Sequence, residues 1–537
     1  MSSQAGIRPG RGAWPRRLFC GAVVGWFLWC VAAMWIPGLG FTYLIEFGAR
    51  DSRFELPEMR SIRHYEVPDS VGYDGKVYVQ IAMRPGLDRT IRSSVSGVAY
   101  RARRILLPWV DWVLALGDPR RILWIYALQN VACWLGLAWL IRRWMPLGDW
   151  QGCVRWALTL YSFGLIFSVR SSLLDGPCLL LIAAGVALLE AGRRWSGSVV
   201  LGISGLGKET SVLGGAALDW PRSRRPAEWL RCAGMAALVV LPLVAWVVIL
   251  DAWVGRGIDV GARNFGAPLA AMFSKVREIL SVIRHGGSEP RAVAVHDLCA
   301  TIGLCVQLVY FAAVPNVRSR WWRIGASYAA LMIFLGTSVW EGYPAAAARV
   351  VLPMTLAFNI LVPRGRRWIA ILLLGNLGVL GSPDLLAPPL GIDYWLTGPA
   401  RLTIDPATGR SPSVDYAGPN WWNLETQRFG FRRWTRGDAA LVVRNPLKSV
   451  VDADISFALQ SRGSRDVAVT LAGKTLWQGK LGENERVHVR LIGVRLVPGA
   501  TTLELATDRP PVPPGPGGKR DLSFSILDLR LSVTAAP

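Results

Sequence analysis

Acidic side chains are in short supply in this 537-residue chain: 37 Asp and Glu stand against 60 Lys and Arg, a formal charge of +23. So large an excess invites a nucleic-acid reading. The arginines, however, gather at the ends of apolar blocks, as the positive-inside rule expects of a membrane protein, and this argues against nucleic acid as a partner. The eight cysteines (20, 30, 133, 153, 178, 232, 299 and 305) show no CxxC spacing. They indicate neither a zinc site nor a disulfide framework, and read as buried small hydrophobes. Histidine is scarcer still, with four in the chain. His64 and His285 stand alone in loops and His296-Asp297 opens an apolar block, so no ligand spacing emerges and no structural metal is expected. No internal repeat is visible in the apolar part, which counts against an inverted-repeat transporter. The first apolar block also lacks a small-x-small cleavage site, and reads as a retained span with its N-terminus in the cytoplasm.

Hydrophobic residues make up 52% of the chain, in blocks whose length suits membrane spans. The first runs from Leu18 to about Ile45, behind Arg8, Arg11, Arg16 and Arg17. A polar loop follows over 47–104. Ile105 to Leu116 is apolar but too short to cross, and is expected to lie along or dip into the interface. Further blocks cover about 121–141, 153–170, 177–192, 198–217, 232–252, 296–315, 324–340, 345–362 and 367–383. If each crossed, Arg222, Arg224, Arg225 and Arg231 would face outward, against the charge rule. The conflict disappears if 198–217, which holds Gly202, Gly205, Gly207, Lys208 and Glu209, enters and leaves on one side. Nine crossings then follow, with loops 47–104 and 253–295 and the C-terminus outside. Broken backbone at membrane depth must be buried by protein or line a wet cavity, so a cavity is expected near Lys208.

After Pro383 the composition changes. Residues 384–425, rich in Pro, Gly, Asp and Trp, read as a linker between a polytopic α-helical membrane domain (1–383) and a C-terminal antiparallel β-sandwich (426–537). Strict alternation marks the strands: Ile455, Phe457, Leu459; Val467, Val469, Leu471; Val487, Val489, Leu491; Leu503, Leu505. Near the end Leu522, Phe524 and Ile526 give way to Leu527, Leu529, Leu531 and Val533, a phase slip that predicts a bulge. Trp421, Trp422, Trp434 and Trp477 are either stacking platforms for a glycan or core residues.

Five stretches carry groups able to do chemistry. In Val71-Gly-Tyr-Asp-Gly-Lys-Val-Tyr-Val-Gln-Ile81, Asp74 lies between Tyr73 and a glycine, ahead of a short amphipathic run that includes Tyr78. A carboxylate so placed can take a proton from a hydroxyl, or can cap the helix behind it. In Tyr100-Arg-Ala-Arg-Arg-Ile-Leu-Leu-Pro108, Arg101, Arg103 and Arg104 run against the charge bias and call for an anion, either a bound phosphate or lipid headgroups. Lys208-Glu209 sits within an apolar block, where ionisable groups are functional candidates or a self-neutralising pair. Arg349, in Glu341-Gly-Tyr-Pro-Ala-Ala-Ala-Ala-Arg349, either meets a lipid phosphate or pairs with Glu341. Asp175, in Ser171-Ser-Leu-Leu-Asp-Gly-Pro177, reads as a helix cap.

Taken together, GYDGKVYVQIA at 72–82, YRARRILLP at 100–108, GLGKETSVL at 205–213 and ARVVLP at 348–353 resemble stretches of GT-C membrane glycosyltransferases. The likeness is greatest to bacterial polyprenyl-phosphate-sugar-dependent mannosyl- and arabinosyltransferases. It extends to an appended sandwich, through Arg432-Arg433-Trp434-Thr435 and Asp508-Arg509-Pro510. The resemblance implies a multi-pass protein of the bacterial inner membrane, using a polyprenyl-phosphate sugar donor and a cell-envelope glycan acceptor outside it. It also implies inversion at the anomeric carbon, and matches the family's catalytic carboxylate to Asp74. Tyr73, Tyr78, Arg101, Arg103, Arg104, Lys208, Glu209 and Arg349 become substrate-binding candidates. Many relatives carry a second acid beside the first, where this chain has Gly75-Lys76; that departure leaves Mg²⁺ or Mn²⁺ at Asp74 as the only cofactor to consider, held by one carboxylate and substrate phosphates. The rival reading is a transporter, flippase or accessory subunit for a lipid-linked saccharide.

Overall fold

The computed structural model describes residues 13–388 and 412–534, apart from 37, 49–54, 68–70, 96, 222, 255–263, 286–290, 341–345, 428–429 and 514–519. Among these, helices Pro119–Arg143, Pro226–Val254 and Ala292–Ala313 are long and apolar enough to cross a membrane. Two bent pairs raise the number to five if each is one span: Trp150–Leu160 with Phe163–Arg170, at 43°, and Arg366–Gly375 with Leu377–Leu385, at 47°. Pro226–Val254 leaves Leu230, Leu241, Val244 and Val248 exposed, a surface suited to lipid. By length and composition the described helices thus supply fewer spans than the nine expected. The apolar blocks are real, but several fold as helices well short of the roughly 20 residues a span needs. Asp175–Glu190, Arg194–Gly207, Arg320–Ile333 and Leu352–Leu361 have 16, 14, 14 and 10 residues. The block from Leu18 is divided too: its helix ends at Ala32, and a separate 3-10 turn covers Thr42–Ile45.

The polar 47–104 loop folds back onto the helices. Strands β1 (Phe47–Gly48) and β2 (Glu66–Val67) pair in parallel within it. Helix Gly75–Met83 buries Val77, Tyr78 and Ile81, the residues whose spacing predicts it, in a core with Phe47, Leu56, Leu123, Tyr126 and Trp246. Trp246 Nε1 donates to the Ala102 carbonyl at 2.9 Å, which fixes the segment bearing the three arginines. The next helix, Leu106–Leu114, exposes Trp109, Val110, Trp112 and Val113, an apolar face of the kind an interfacial helix presents. The break expected within 198–217 is present. Helix Arg194–Gly207 stops, Lys208 is extended (φ −159°, ψ 131°), and a 3-10 run follows over Glu209–Ala217.

The C-terminal part contains β3 (Ser413–Ala417), β4 (Trp421–Gln427), β5 (Gly430–Thr435), β6 (Ala439–Asn445) and β7 (Val451–Ser461). It continues with β8 (Arg465–Leu471), β9 (Lys474–Leu481), β10 (Arg486–Leu496), β11 (Gly499–Thr507) and β12 (Phe524–Thr534). They form two five-stranded antiparallel sheets, ordered β10-β7-β12-β5-β4 and β3-β6-β11-β8-β9. Alternate residues from both sheets, among them Ile455, Phe457, Val467, Val469, Leu503 and Ile526, share one core. The phase slip becomes a register shift between Leu527 and Arg530, where β12 pairs with β7. One boundary shifts: β3 lies inside 384–425 and β4 begins there, so the sheets start before residue 426. These short strands carry Gly, Pro and Trp between them, which hides their alternation; residues 389–411 lie outside the described residues. Trp421 is buried in the core and Trp434 is also buried, whereas Trp422 is half-buried with the Arg436 guanidinium 3.8 Å from its ring centre.

Candidate functional site

Asp74 stands at the entrance of the Gly75–Met83 helix, but its side chain makes no capping hydrogen bond. Instead Oδ1 accepts from Arg101 Nη2 at 2.7 Å and Nε at 3.0 Å. The capping alternative therefore fails. Oδ2 has no hydrogen-bond partner among the described residues, and the side chain keeps 24% of its surface accessible. Gly75 permits this placement, because a Cβ there would run into the carbonyl oxygens of Ser171 and Ile45. On the other side, Tyr73 N–H donates to the Glu46 carbonyl at 2.9 Å, and the Glu46 carboxylate accepts from Ser171 Oγ at 2.5 Å. Burial alone would raise the Asp74 carboxyl, but Arg101 and then Arg349 hold it below its ordinary value, so it is ionised at neutral pH.

Arg104 lies deeper. Its Nε donates to Glu209 Oε2 at 2.8 Å, Nη1 to the Tyr78 hydroxyl at 2.5 Å and Nη2 to the Tyr100 hydroxyl at 3.2 Å. Asn264 Nδ2 also donates to Tyr100, at 2.8 Å. Arg103 does not join by a hydrogen bond: its guanidinium sits 5.8 Å from the Tyr100 ring centre, and its buried Nε has no partner. The anions that Arg101 and Arg104 call for are thus met, in the resting protein, by the chain's own carboxylates.

Lys208 and Glu209 do not neutralise each other. Lys208 Nζ pairs with Asp175 Oδ1, while Glu209 turns to Arg104. Arg349 Nη1 approaches Asp175 Oδ2 at 3.5 Å, and its guanidinium lies 5.4 Å from the Tyr73 ring centre and 5.9 Å from that of Phe167. Glu341, its alternative partner, falls outside the described residues. Close approach holds Arg349 in place: a Cβ on Gly164 would lie 2.5 Å from the Ala348 carbonyl oxygen. Asp175 is therefore not the cap the sequence suggests: Leu174 holds that position and no side chain caps the helix. It opens the Asp175–Glu190 helix, yet its buried carboxylate is spent on two cations. Lys208, an ionisable group inside an apolar block, and Arg349, out of place by the charge rule, were the signals in the sequence that a buried acid could answer. Tyr100 and Asn264 gave no such signal.

Hydrogen bonds, ion pairs and ring contacts gather the candidate residues, from four distant stretches, into three groups: Asp74 with Arg101; Arg104 with Tyr78, Tyr100 and Glu209, with Arg103 beside the Tyr100 ring; and Lys208 and Arg349 with Asp175 and the Tyr73 ring. The chain itself links them at Tyr73-Asp74 and Lys208-Glu209. Four cations (Arg101, Arg104, Lys208, Arg349) meet three carboxylates (Asp74, Asp175, Glu209). An unmatched positive charge in a weakly polar setting favours a bound anion, and such preorganised cations stabilise negative charge developing on a leaving group. A hollow lined by Trp139, Arg142, Arg143 and Leu188 lies apart from these residues. Glu55, His64 and Glu66 bring two carboxylates and an imidazole to one point, also outside the network.

No family model and no curated protein sequence matches this chain. Among solved structures it is similar to the arabinosyltransferase EmbB from Mycobacterium smegmatis, over 98% of this chain and 66% of that one, at 12% identity and a TM-score of 0.25. It is also similar to the CBM36-1 domain of a multidomain xylanase from the hindgut metagenome of Trinervitermes trinervoides, at 12% identity and a TM-score of 0.16. That match covers 24% of this chain and 99% of the module. A third likeness is to TmCBM61 in complex with β-1,4-galactotriose, at 8% identity, covering 26% of this chain and 92% of the other, with a TM-score of 0.15. Scores this low carry no functional weight, and the chain spans about two thirds of EmbB.

Proposed function

We propose that this chain is a GT-C-type membrane glycosyltransferase that moves a sugar from a polyprenyl-phosphate donor to a hydroxyl of a cell-envelope glycan. The reaction is a single displacement with inversion. Asp74 takes the acceptor proton on Oδ2 while the acceptor oxygen attacks the anomeric carbon and the lipid phosphate departs with the bonding electrons. Arg101, Arg104, Lys208 and Arg349 stabilise the phosphate charge, which grows in the transition state. Tyr73 and Tyr78 hold Arg349 and Arg104 in place. In this reading the 47–104 loop and the sandwich lie outside the bacterial inner membrane, and the short helices complete the spans.

The observation that carries the proposal is the state of Asp74. It is an ionised, part-exposed carboxylate that does not cap its helix and has one oxygen with no partner among the described residues, at the edge of a network with surplus positive charge. A carrier for the same lipid would bind phosphate with the cations but has no use for a base. Asp74→Asn in the full chain, reconstituted in liposomes with a panel of labelled polyprenyl-phosphate sugars, separates the two. Transfer should fall by ~10²–10⁴-fold with donor binding retained, as for loss of a general base. Unaltered transfer removes Asp74 from the chemistry, and lipid translocation without sugar transfer by the wild type supports the carrier.

A further inference from the structure

A second constellation lies in the 47–104 loop and has no part in the proposed transfer. Glu55, His64 and Glu66 each bring a ligand atom to one point, all within 4.8 Å of one another. His64 Nε2 is 3.6 Å from Glu55 Oε2 and 3.5 Å from Glu66 Oε1. These separations are too long for charge-assisted hydrogen bonds, which run at about 2.7–2.9 Å. They are close to the spacing of about 3.3–3.4 Å between neighbouring donors on a tetrahedral cation with bonds of about 2.0–2.1 Å.

The rest of the imidazole is prepared for a ligand. His64 Nδ1 lies 2.8 Å from the Ile62 carbonyl and donates to it, which turns Nε2 toward the two carboxylates. The Phe47 ring packs on the other side, with its centre 4.4 Å from that of the imidazole. The side chains of His64 and Glu55 are only 5% and 3% accessible, yet among the described residues His64 Nε2 and Glu55 Oε1 make no hydrogen bond. Two buried polar atoms left unpaired at one point is an expensive arrangement for a loop to keep without an occupant.

We propose that Glu55, His64 and Glu66 bind a divalent first-row transition cation, of which Zn²⁺ is the best fit. Two carboxylates and a neutral imidazole balance the charge of such an ion. The nitrogen ligand selects against Mg²⁺ and Ca²⁺, which prefer all-oxygen shells. The ion would fasten Glu55, just ahead of the short helix Pro57–Arg60, to the start of β2, which itself pairs with β1. Glu46, just before β1, accepts the Tyr73 N–H, so the fastened loop is also the backing of the Asp74 turn. The sequence hides this site because the three ligands follow no regular spacing; the fold of the loop gathers them.

The test uses the full chain, purified in detergent through a histidine-free tag, stripped with a chelator and dialysed against Zn²⁺ or Mg²⁺. Wild type should retain about one Zn²⁺ per chain by elemental analysis and no Mg²⁺. His64→Gln and Glu66→Gln should each weaken Zn²⁺ binding by at least tenfold. Because His64 is buried, Glu66→Gln, at a half-buried position, is the variant that should stay monodisperse. Loading with Co²⁺ adds an independent readout: visible d–d bands of a low-coordinate nitrogen–oxygen site, present in wild type and lost in both variants. Failure of the wild type to retain Zn²⁺, or monodisperse Glu66→Gln that binds it as tightly as wild type, overturns the site. In that case His64 is an imidazolium held between two carboxylates. Neither result depends on sugar transfer, so the site and the transferase proposal stand or fall separately.

Discussion

Buried guanidinium groups occur in both the helical part and the sandwich, and their partners differ in kind. In the sandwich, Arg465 donates to Ser461 Oγ at 2.9 Å, to Ser523 Oγ, and to the carbonyls of Arg462 and Arg509 at 2.8 and 3.1 Å. Every acceptor is neutral and local to one end of the two sheets, and burial holds the guanidinium below its usual pKa. Arg104 instead meets Glu209, Tyr78 and Tyr100, and Arg349 meets Asp175 and two rings. Neutral acceptors use up an arginine's donors and tie down chain, which is bracing. Carboxylates shared among a larger number of cations leave charge over, which is binding capacity. The difference predicts which buried arginines matter for stability and which for chemistry.

The largest effect that would sharpen this contrast is Asp74→Asn, with its ~10²–10⁴-fold loss of transfer and a change in stability within about 0.5 kcal/mol, since the site is part-exposed. A matching loss of stability would collapse the contrast. Next comes Asp175→Asn, which strands Lys208 and Arg349. Breaking a buried ion pair from one side costs about 3–5 kcal/mol, read as reduced resistance to denaturation in micelles. Adding Lys208→Met should recover part of that loss, with a coupling of about 1 kcal/mol or more; strict additivity would show that the pair is not a unit. Arg465→Ala should cost about 2–4 kcal/mol by leaving several carbonyls and two hydroxyls unpaired, measured by proteolysis of the full chain. Transfer per folded molecule should not change, and a loss of transfer there would tie the sandwich to the chemistry.

How far the sequence reached follows the same division. The sandwich core was legible because a period of two leaves Ile455, Phe457 and Leu459 on one face whatever the neighbours do, and even the bulge near Leu527 showed as a slip in that period. The break at Lys208 was legible because glycines and charge interrupt an apolar run. Spans were less so, since apolar composition alone does not distinguish a crossing helix from the 14-residue helices that pack inside the bundle. Pairings were hardest. Asp74 with Arg101 and Asp175 with Lys208 are set by tertiary packing across 27 and 33 positions, and no local pattern encodes them. Asp175 also satisfied a local rule for caps, which concealed its larger role.

The smallest and most specific way to probe the contrast is the acid limb of the pH profile. In the proposed reaction Asp74 must be ionised, and Arg101 and Arg349 hold its carboxyl below the ordinary value near 3.8. Wild-type kcat/KM should therefore stay level as pH falls from 7 toward that value, with the protonation limb lying below it. Arg101→Gln removes the cation that contacts Oδ1, while burial, which favours the neutral acid, remains. The folded carboxyl then rises, and the limb must move to higher pH. At pH 7 most molecules are still ionised, so the change appears chiefly at the acid end. The same substitution made at Arg465 removes a cation with no carboxylate among its contacts, and its profile should overlay that of the wild type. A limb that stays put in Arg101→Gln would mean that the titrating group is not Asp74.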